Sequence, residues 1–225
     1  MASKHALRAW LHTAKRGMDN DGIAMERALG IFQRLFVSSR PLLFQTSPEL
    51  VSHVYNPMDS PTPIIYSLVW ETCFHCGTNS TDDDKKRRAA EIAILVYQTA
   101  KDQGMHPLKP KTYNKFLQCL SMSEDEDQQL ELVREIFEAA SKSPEEDGIV
   151  DPTVLEALLD CLVSINGDNC IQERLELIQD IYDVVLNTNE IPVLSERFLT
   201  HLGRLHPKLY ERHIAEHPHG SGMNK

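Results

Sequence analysis

Pro63-Ile64-Ile65-Tyr66, Pro110-Lys111-Thr112-Tyr113 and Pro152-Thr153-Val154-Leu155 open three stretches of one design. Each is a proline, a short apolar helix, a polar turn, and then a longer amphipathic helix with one aromatic at its centre. A weaker copy starts at Pro192-Val193-Leu194-Ser195, and successive prolines stand 47, 42 and 40 residues apart. A period of that length predicts helix pairs that cannot bury their apolar faces alone and therefore stack on their neighbours. The expected fold is all-α: a right-handed α-solenoid of four to five helical hairpins.

Working outward from these prolines, the array is expected over residues 63–205. Its pairs are about 64–76 with 85–103, 111–121 with 127–141, and 153–165 with 171–186, followed by a last helix over 193–205. The polar loop 77–84 separates the first pair, and Gly104 closes its second helix as a left-handed cap. The longer helices echo one another, with Phe32, Tyr97, Phe137 and Tyr182 each following apolar residues. Such an aromatic is the large knob at the seam between pairs. Residues 1–40 read as an N-terminal hairpin, with helices from about 3 to 16 and from 23 to 36. Residues 41–62 carry Pro41, Pro48, Pro57 and Pro61 and read as an irregular linker with one short helix over 48–55. Residues 206–225 read as a polar tail that frays.

The composition narrows the function. A net charge of -10 and a pI near 5.4 argue against a general nucleic-acid coat, which needs a basic face to displace counterions. The acids cluster at residues 82–84, 124–127 and 145–147, in turns or just before helices, where carboxylates meet the positive end of the helix dipole. A mean hydropathy of -0.34 predicts a soluble chain, and no apolar run approaches the roughly 20 residues of a membrane helix. Five cysteines, an odd number, point to a reducing compartment. The sequon Asn79-Ser80-Thr81 then reads as chance. Residues 1–18 hold Lys4, Arg8, Lys15 and Arg16 with no acid before Asp19. That pattern resembles an organelle transit peptide, and Ala6, Leu7, Trp10, Leu11 and Ala14 equally make the apolar face of a first repeat helix.

Several motifs have two readings each. Cys73-Phe74-His75-Cys76 has short metal-ligand spacing but no second Cys or His pair at the expected distance, so small buried residues are the better reading. His213-Ile214-Ala215-Glu216-His217 matches the inverted zinc-protease motif, yet only eight residues follow and Pro218 ends the helix. Lys85-Lys86-Arg87-Arg88 is a candidate phosphate patch that follows three aspartates. Ser121 and Ser123 precede an acidic run and could be phosphorylated. Ser123 with Glu126 three residues on reads better as a capping box. There is no glycine-rich phosphate loop, no nucleophile elbow and no carboxylate pair on an apolar face. No enzyme, cofactor, metal or small-molecule substrate is therefore expected.

Ala90-Glu91-Ile92-Ala93-Ile94-Leu95-Val96-Tyr97 with Gly104-Met105-His106-Pro107, followed by Thr112-Tyr113-Asn114-Lys115-Phe116-Leu117, resembles the pentatricopeptide repeat family. The resemblance spans about 63–205, and more faintly 3–38, with loops longer than the family's own. It implies that each repeat reads one RNA base, through the residue after the tyrosine position and the residue that closes the repeat. The implied pairs are Ser67 with Lys109, Asn114 with Asp151, and Glu156 with Ile191. Asn114 and Asp151 match the family's pattern and imply a pyrimidine, uracil first. Ser67 fits the pattern, whereas Lys109, Glu156 and Ile191 depart from it. Lys109, Lys111 and Lys115, with the run 85–88, are the candidates to hold phosphates. The resemblance thus implies a non-enzymatic factor for single-stranded RNA, working in a mitochondrion or plastid, with the cytoplasm as the other location. The rival is a protein–protein scaffold whose groove takes a peptide or partner helix.

Overall fold

A computed structural model describes residues 2–19, 22–39, 62–102, 110–141, 152–165, 170–187 and 195–217. Among the described residues there are ten helices and no strands. They divide into two compact units, 1–108 and 109–225. The first holds α1 (Ala2–Lys15), α2 (Ile23–Ser39), α3 (Pro63–Thr78) and α4 (Asp83–Asp102). The second holds α5 (Pro110–Leu120), α6 (Glu126–Ser141), α7 (Pro152–Ser164), α8 (Ile171–Asn187), α9 (Glu196–Leu205) and α10 (Pro207–Glu216). Among the described residues no helix is long and apolar enough to cross a membrane.

The repeated proline opens a helix each time. Pro63, Pro110, Pro152 and Pro207 each begin one, because the first helical position needs no backbone donor and suits proline's fixed φ. The residue before each start often supplies a cap. Asp82 Oδ1 accepts from the Asp84 amide at 3.0 Å and opens α4, so only residues 79–82 join α3 to α4 and the expected loop is shorter. Asp125 Oδ1 accepts from the Gln128 amide at 3.0 Å and opens α6. Ser123, expected to cap α6, instead accepts from the Asp125 amide at 3.2 Å. The aspartate wins because it stands directly before the first helical residue. Likewise Ser195 caps α9, accepting from the Phe198 amide at 3.0 Å, so that helix starts at 196 and not at 193.

In the first unit α1 packs on α2 and α3, α2 on α3 and α4, and α3 on α4. The first 18 residues thus supply a packed helix, with Leu7, Leu11 and Ala14 buried and Lys15 paired with Glu71 at 2.6 Å. Gly17, with φ of 63°, closes α1 in the left-handed region that favours glycine. The Asp19 carboxylate then accepts from the Ala24 amide at 3.0 Å and the Cys76 thiol at 3.2 Å, fixing the turn against α3. Phe32 of α2 meets Tyr66 of α3 edge-on at 5.3 Å, the seam contact expected of the mid-helix aromatics. Trp70 is fully buried and its Nε1 donates to the Ala93 carbonyl of α4 at 3.0 Å.

Tyr66 is also fully buried, and its hydroxyl has no hydrogen-bond partner among the described residues. A buried unpaired hydroxyl forfeits its hydration without return. Tyr66→Phe is therefore expected to leave the fold intact and raise its stability by up to about 1 kcal/mol. Urea unfolding checks this, and a lower midpoint for the variant would contradict it.

In the second unit α5 packs on α6 and α7, α6 on α7 and α8, α7 on α8 and α9, α8 on α9, and α9 on α10. The centre is α7, where Val154, Leu155, Leu158, Leu159, Cys161 and Leu162 are all buried. A helix apolar almost all round belongs in the interior. The stretch 206–216, expected to fray with the tail, is the helix α10 and the packing partner of α9. His206 Nδ1 accepts from the Leu209 amide at 3.2 Å, Pro207 opens the helix, and Leu209 and His213, four residues apart, form its buried face. The short helix expected over 48–55, the Gly104 cap and the acidic run 145–147 lie outside the described residues.

Candidate binding face of the odd-numbered helices

Of the base-reading residues that the resemblance implies, Ser67, Asn114 and Glu156 fall on the odd-numbered helices. In α3 the buried Tyr66 is followed by the half-buried Ser67. In α5 the buried Tyr113, 1% exposed, is followed by the half-buried Asn114. Neither the Ser67 hydroxyl nor the Asn114 carboxamide has a hydrogen-bond partner among the described residues. In α7 the buried Leu155 is followed by Glu156, whose carboxylate accepts from the Ser195 hydroxyl at the start of α9. The shared logic is a large apolar anchor with a polar neighbour rotated toward solvent. Among the described residues two of the three polar neighbours make no hydrogen bond, and the third is partly engaged.

Lys115 is half-buried on α5 and its Nζ donates to Gln118 Oε1 at 2.9 Å. Lys111 lies in the first turn of α5. Lys109 and Asp151 lie outside the described residues, as does Ile191. Ser67 belongs to the first unit, and Asn114 and Lys115 to the second.

Sequence reading missed a second cluster beside Glu156. Asp160 on α7 pairs with Arg197 and lies 2.8 Å from His201 Nε2, both on α9. The signal was present as complementary spacing: Glu156 and Asp160 are four apart, as are Arg197 and His201, so each set lines one helix face. What could not be read was that these two faces meet.

The basic run 85–88 is largely neutralised. Lys86 pairs with Asp83 at 2.7 Å, Arg87 with Asp84, and Arg88 reaches Glu26 at 2.7 Å and Glu91 at 3.1 Å. The hydrogen bond from Lys86 holds the exposed Asp83 carboxyl below its ordinary range. Glu26 first, then Glu91, stabilises the charged Arg88 guanidinium, although burial opposes this. These charges tie α4 to itself and to α2.

Cys73 and Cys76 are buried in α3, while the half-buried His75 ring sits edge-on to Phe74 at 5.1 Å. Burial and then the Asp19 carboxylate push the Cys76 thiol up to about 12, so it stays protonated. Cys119 and Cys161 are buried as the small apolar residues expected, and burial pushes Cys161 up to about 12. A cavity of about 170 Å³ lies beside Cys76, lined by Asp19, His75, Asn79, Asp82 and Lys85 among others. Its amide and carboxylates bond within the unit, as Asn79 Nδ2 does in donating to the Ala14 carbonyl at 2.9 Å. Among the described residues no three His, Cys, Asp or Glu side chains stand together to hold a metal. No protein-family model, curated protein or solved structure matches the chain.

Proposed function

We propose that the chain is a non-enzymatic helical-repeat protein of the pentatricopeptide kind that binds single-stranded RNA through the odd-numbered helices of each unit. Within each unit the pairs continue as a right-handed α-solenoid, two hairpins in the first and three in the second. The observation that carries the reading is the matched position of Ser67 and Asn114. Each follows a buried tyrosine, each is half-exposed, and each side chain, without a hydrogen-bond partner among the described residues, can donate to and accept from the edge of an unstacked base. Lys111 and Lys115 supply positive charge on the helix that carries Asn114, in a chain whose net charge is -10. If residues 1–18 also serve as an organelle address, that address is retained, because cleavage would remove the buried face of α1.

So few cations predict a shallow salt dependence, about -0.7 in log K per log salt for each phosphate contacted. Purified protein is expected to bind a short uracil-rich strand, more tightly at low salt than at physiological salt. Asn114→Ala is expected to weaken binding roughly fivefold to tenfold, the worth of about one net hydrogen bond. Fluorescence anisotropy checks both. Equal binding by the variant, or none by the native chain at low salt, would overturn the RNA reading.

One observation favours the rival scaffold. Glu156, whose partner is a neutral hydroxyl, places a carboxylate on α7 at the position where α3 and α5 carry neutral residues, and a carboxylate repels phosphate. A basic peptide or helix fits such a face. Failure of RNA binding together with saturable binding of a lysine-rich peptide, weakened by Glu156→Gln, would establish it.

A further inference from the structure

The motif His213-Ile214-Ala215-Glu216-His217 takes no part in the RNA reading, yet it holds α10 to the second unit. His213 is 8% exposed, and its Nδ1 lies 3.0 Å from the hydroxyl of Tyr182, itself fully buried on α8. The two rings meet edge-on at 5.8 Å. His217 stacks on His213 at 4.7 Å, and its own Nδ1 lies 3.2 Å from the His213 carbonyl. Other charged or titratable neighbours are few. Arg212 lies over the Tyr182 ring at 5.9 Å, Glu216 of α10 and Asp183 of α8 bring negative charge to Tyr182, and Glu216 also acts on His213. From α9, Gly203 faces the Tyr210 ring of α10, and His206 caps α10 at the junction.

We propose that α10 is an acid-released clasp, docked on Tyr182 while His213 is neutral and freed when His213 takes a proton. A protonated imidazole here would carry a poorly solvated charge beside a second imidazole, with the Glu216 carboxylate to offset it. Burial first, and then His217, already hold His213 below its ordinary value, while Glu216 opposes. The docked state therefore binds fewer protons than the released state. Its stabilisation is complete above the ordinary imidazole value, about 6.5, and is lost as pH falls through the lower docked value. Released, His213 regains water and its proton.

Hydrogen exchange of the full chain, followed by mass spectrometry and corrected for intrinsic rates, tests the clasp. Between about pH 7.5 and about pH 5.5, amide protection over 207–217 is expected to fall several-fold, with about tenfold as the ceiling set by a released imidazole near 6.5. Protection over α3 in the first unit should hold. His213→Gln keeps a partner for Tyr182 and cannot titrate, so its α10 protection should not respond to pH. Unchanged α10 protection in the native chain, or a native response in His213→Gln, would overturn the proposal. Should His213→Gln fail to dock at neutral pH, histidine NMR titration of the native chain decides. One imidazole of the ten titrating below the rest, together with loss of α10 contacts, supports the clasp, and ten ordinary titrations refute it.

Discussion

Trp70→Ala is expected to destabilise the first unit by about 3–5 kcal/mol, the usual cost of removing a fully buried large aromatic. Trp70 is 0% exposed at the junction of α3 and α4, and its neighbour Tyr66 lies 6.2 Å away, with Phe32 beyond. The truncation opens a void in this aromatic row and removes the bond to the Ala93 carbonyl. Against a typical domain stability of about 5–15 kcal/mol, that loss is a large share of what holds the unit folded. Trp70→Phe keeps most of the apolar area and should cost about 1–2 kcal/mol. Both tryptophans of the chain, Trp10 and Trp70, lie in the first unit, so Trp10 fluorescence during urea unfolding reports that unit alone. Leu95→Ala, at an exposed position of α4, serves as the control. A Trp70→Ala midpoint no lower than the control's would mean that the row does not carry the packing described.

Tyr182→Ala is expected to have an effect of similar size in the second unit, again about 3–5 kcal/mol. Tyr182 is fully buried on α8, and it holds α10 through both ring packing and the hydroxyl beside His213. Its loss should remove α10 protection at neutral pH, where the native helix is docked. Tyr182→Phe should keep α10 in place at a cost of about 1 kcal/mol, because only the hydrogen bond is lost. Far-UV circular dichroism during urea unfolding gives the stability, and hydrogen exchange locates the change. Persistent α10 protection in Tyr182→Ala would show that α10 is held by other contacts.

The helices themselves were legible because each carried two local signals that agreed. Prolines at 63, 110 and 152 marked starts, and apolar residues at helical spacing marked the buried faces. The mid-helix aromatics were legible as knobs for the same reason, and Phe32, Tyr97, Phe137 and Tyr182 are all buried. The expectation failed at 206–216, where the polar composition predicted a fraying tail and the chain forms α10. The same residue type that had announced three helices announced a fourth, but α10 has only Leu209 and His213 to bury. A histidine counts as polar until something supplies a partner for its nitrogen, and that partner, Tyr182, lies 31 residues away.

The candidate site divides in the same way. The alternation of buried anchor and polar neighbour at Tyr66–Ser67 and Tyr113–Asn114 follows from helix geometry, so the sequence by itself determined which side chains face outward there. It also determined the all-helical class and the acidic caps, because periodicity, proline placement and helix-dipole preference act within a few residues. Only the tertiary structure decided which of those outward groups stay available. Glu156 and Asp160 are engaged by Ser195, Arg197 and His201, and Arg88 is drawn to Glu26 across 62 residues of chain. It also decided that α10 docks at all. Such pairings depend on which helix faces meet, and that is set by the packing of whole helices, a property that no local stretch of the chain encodes.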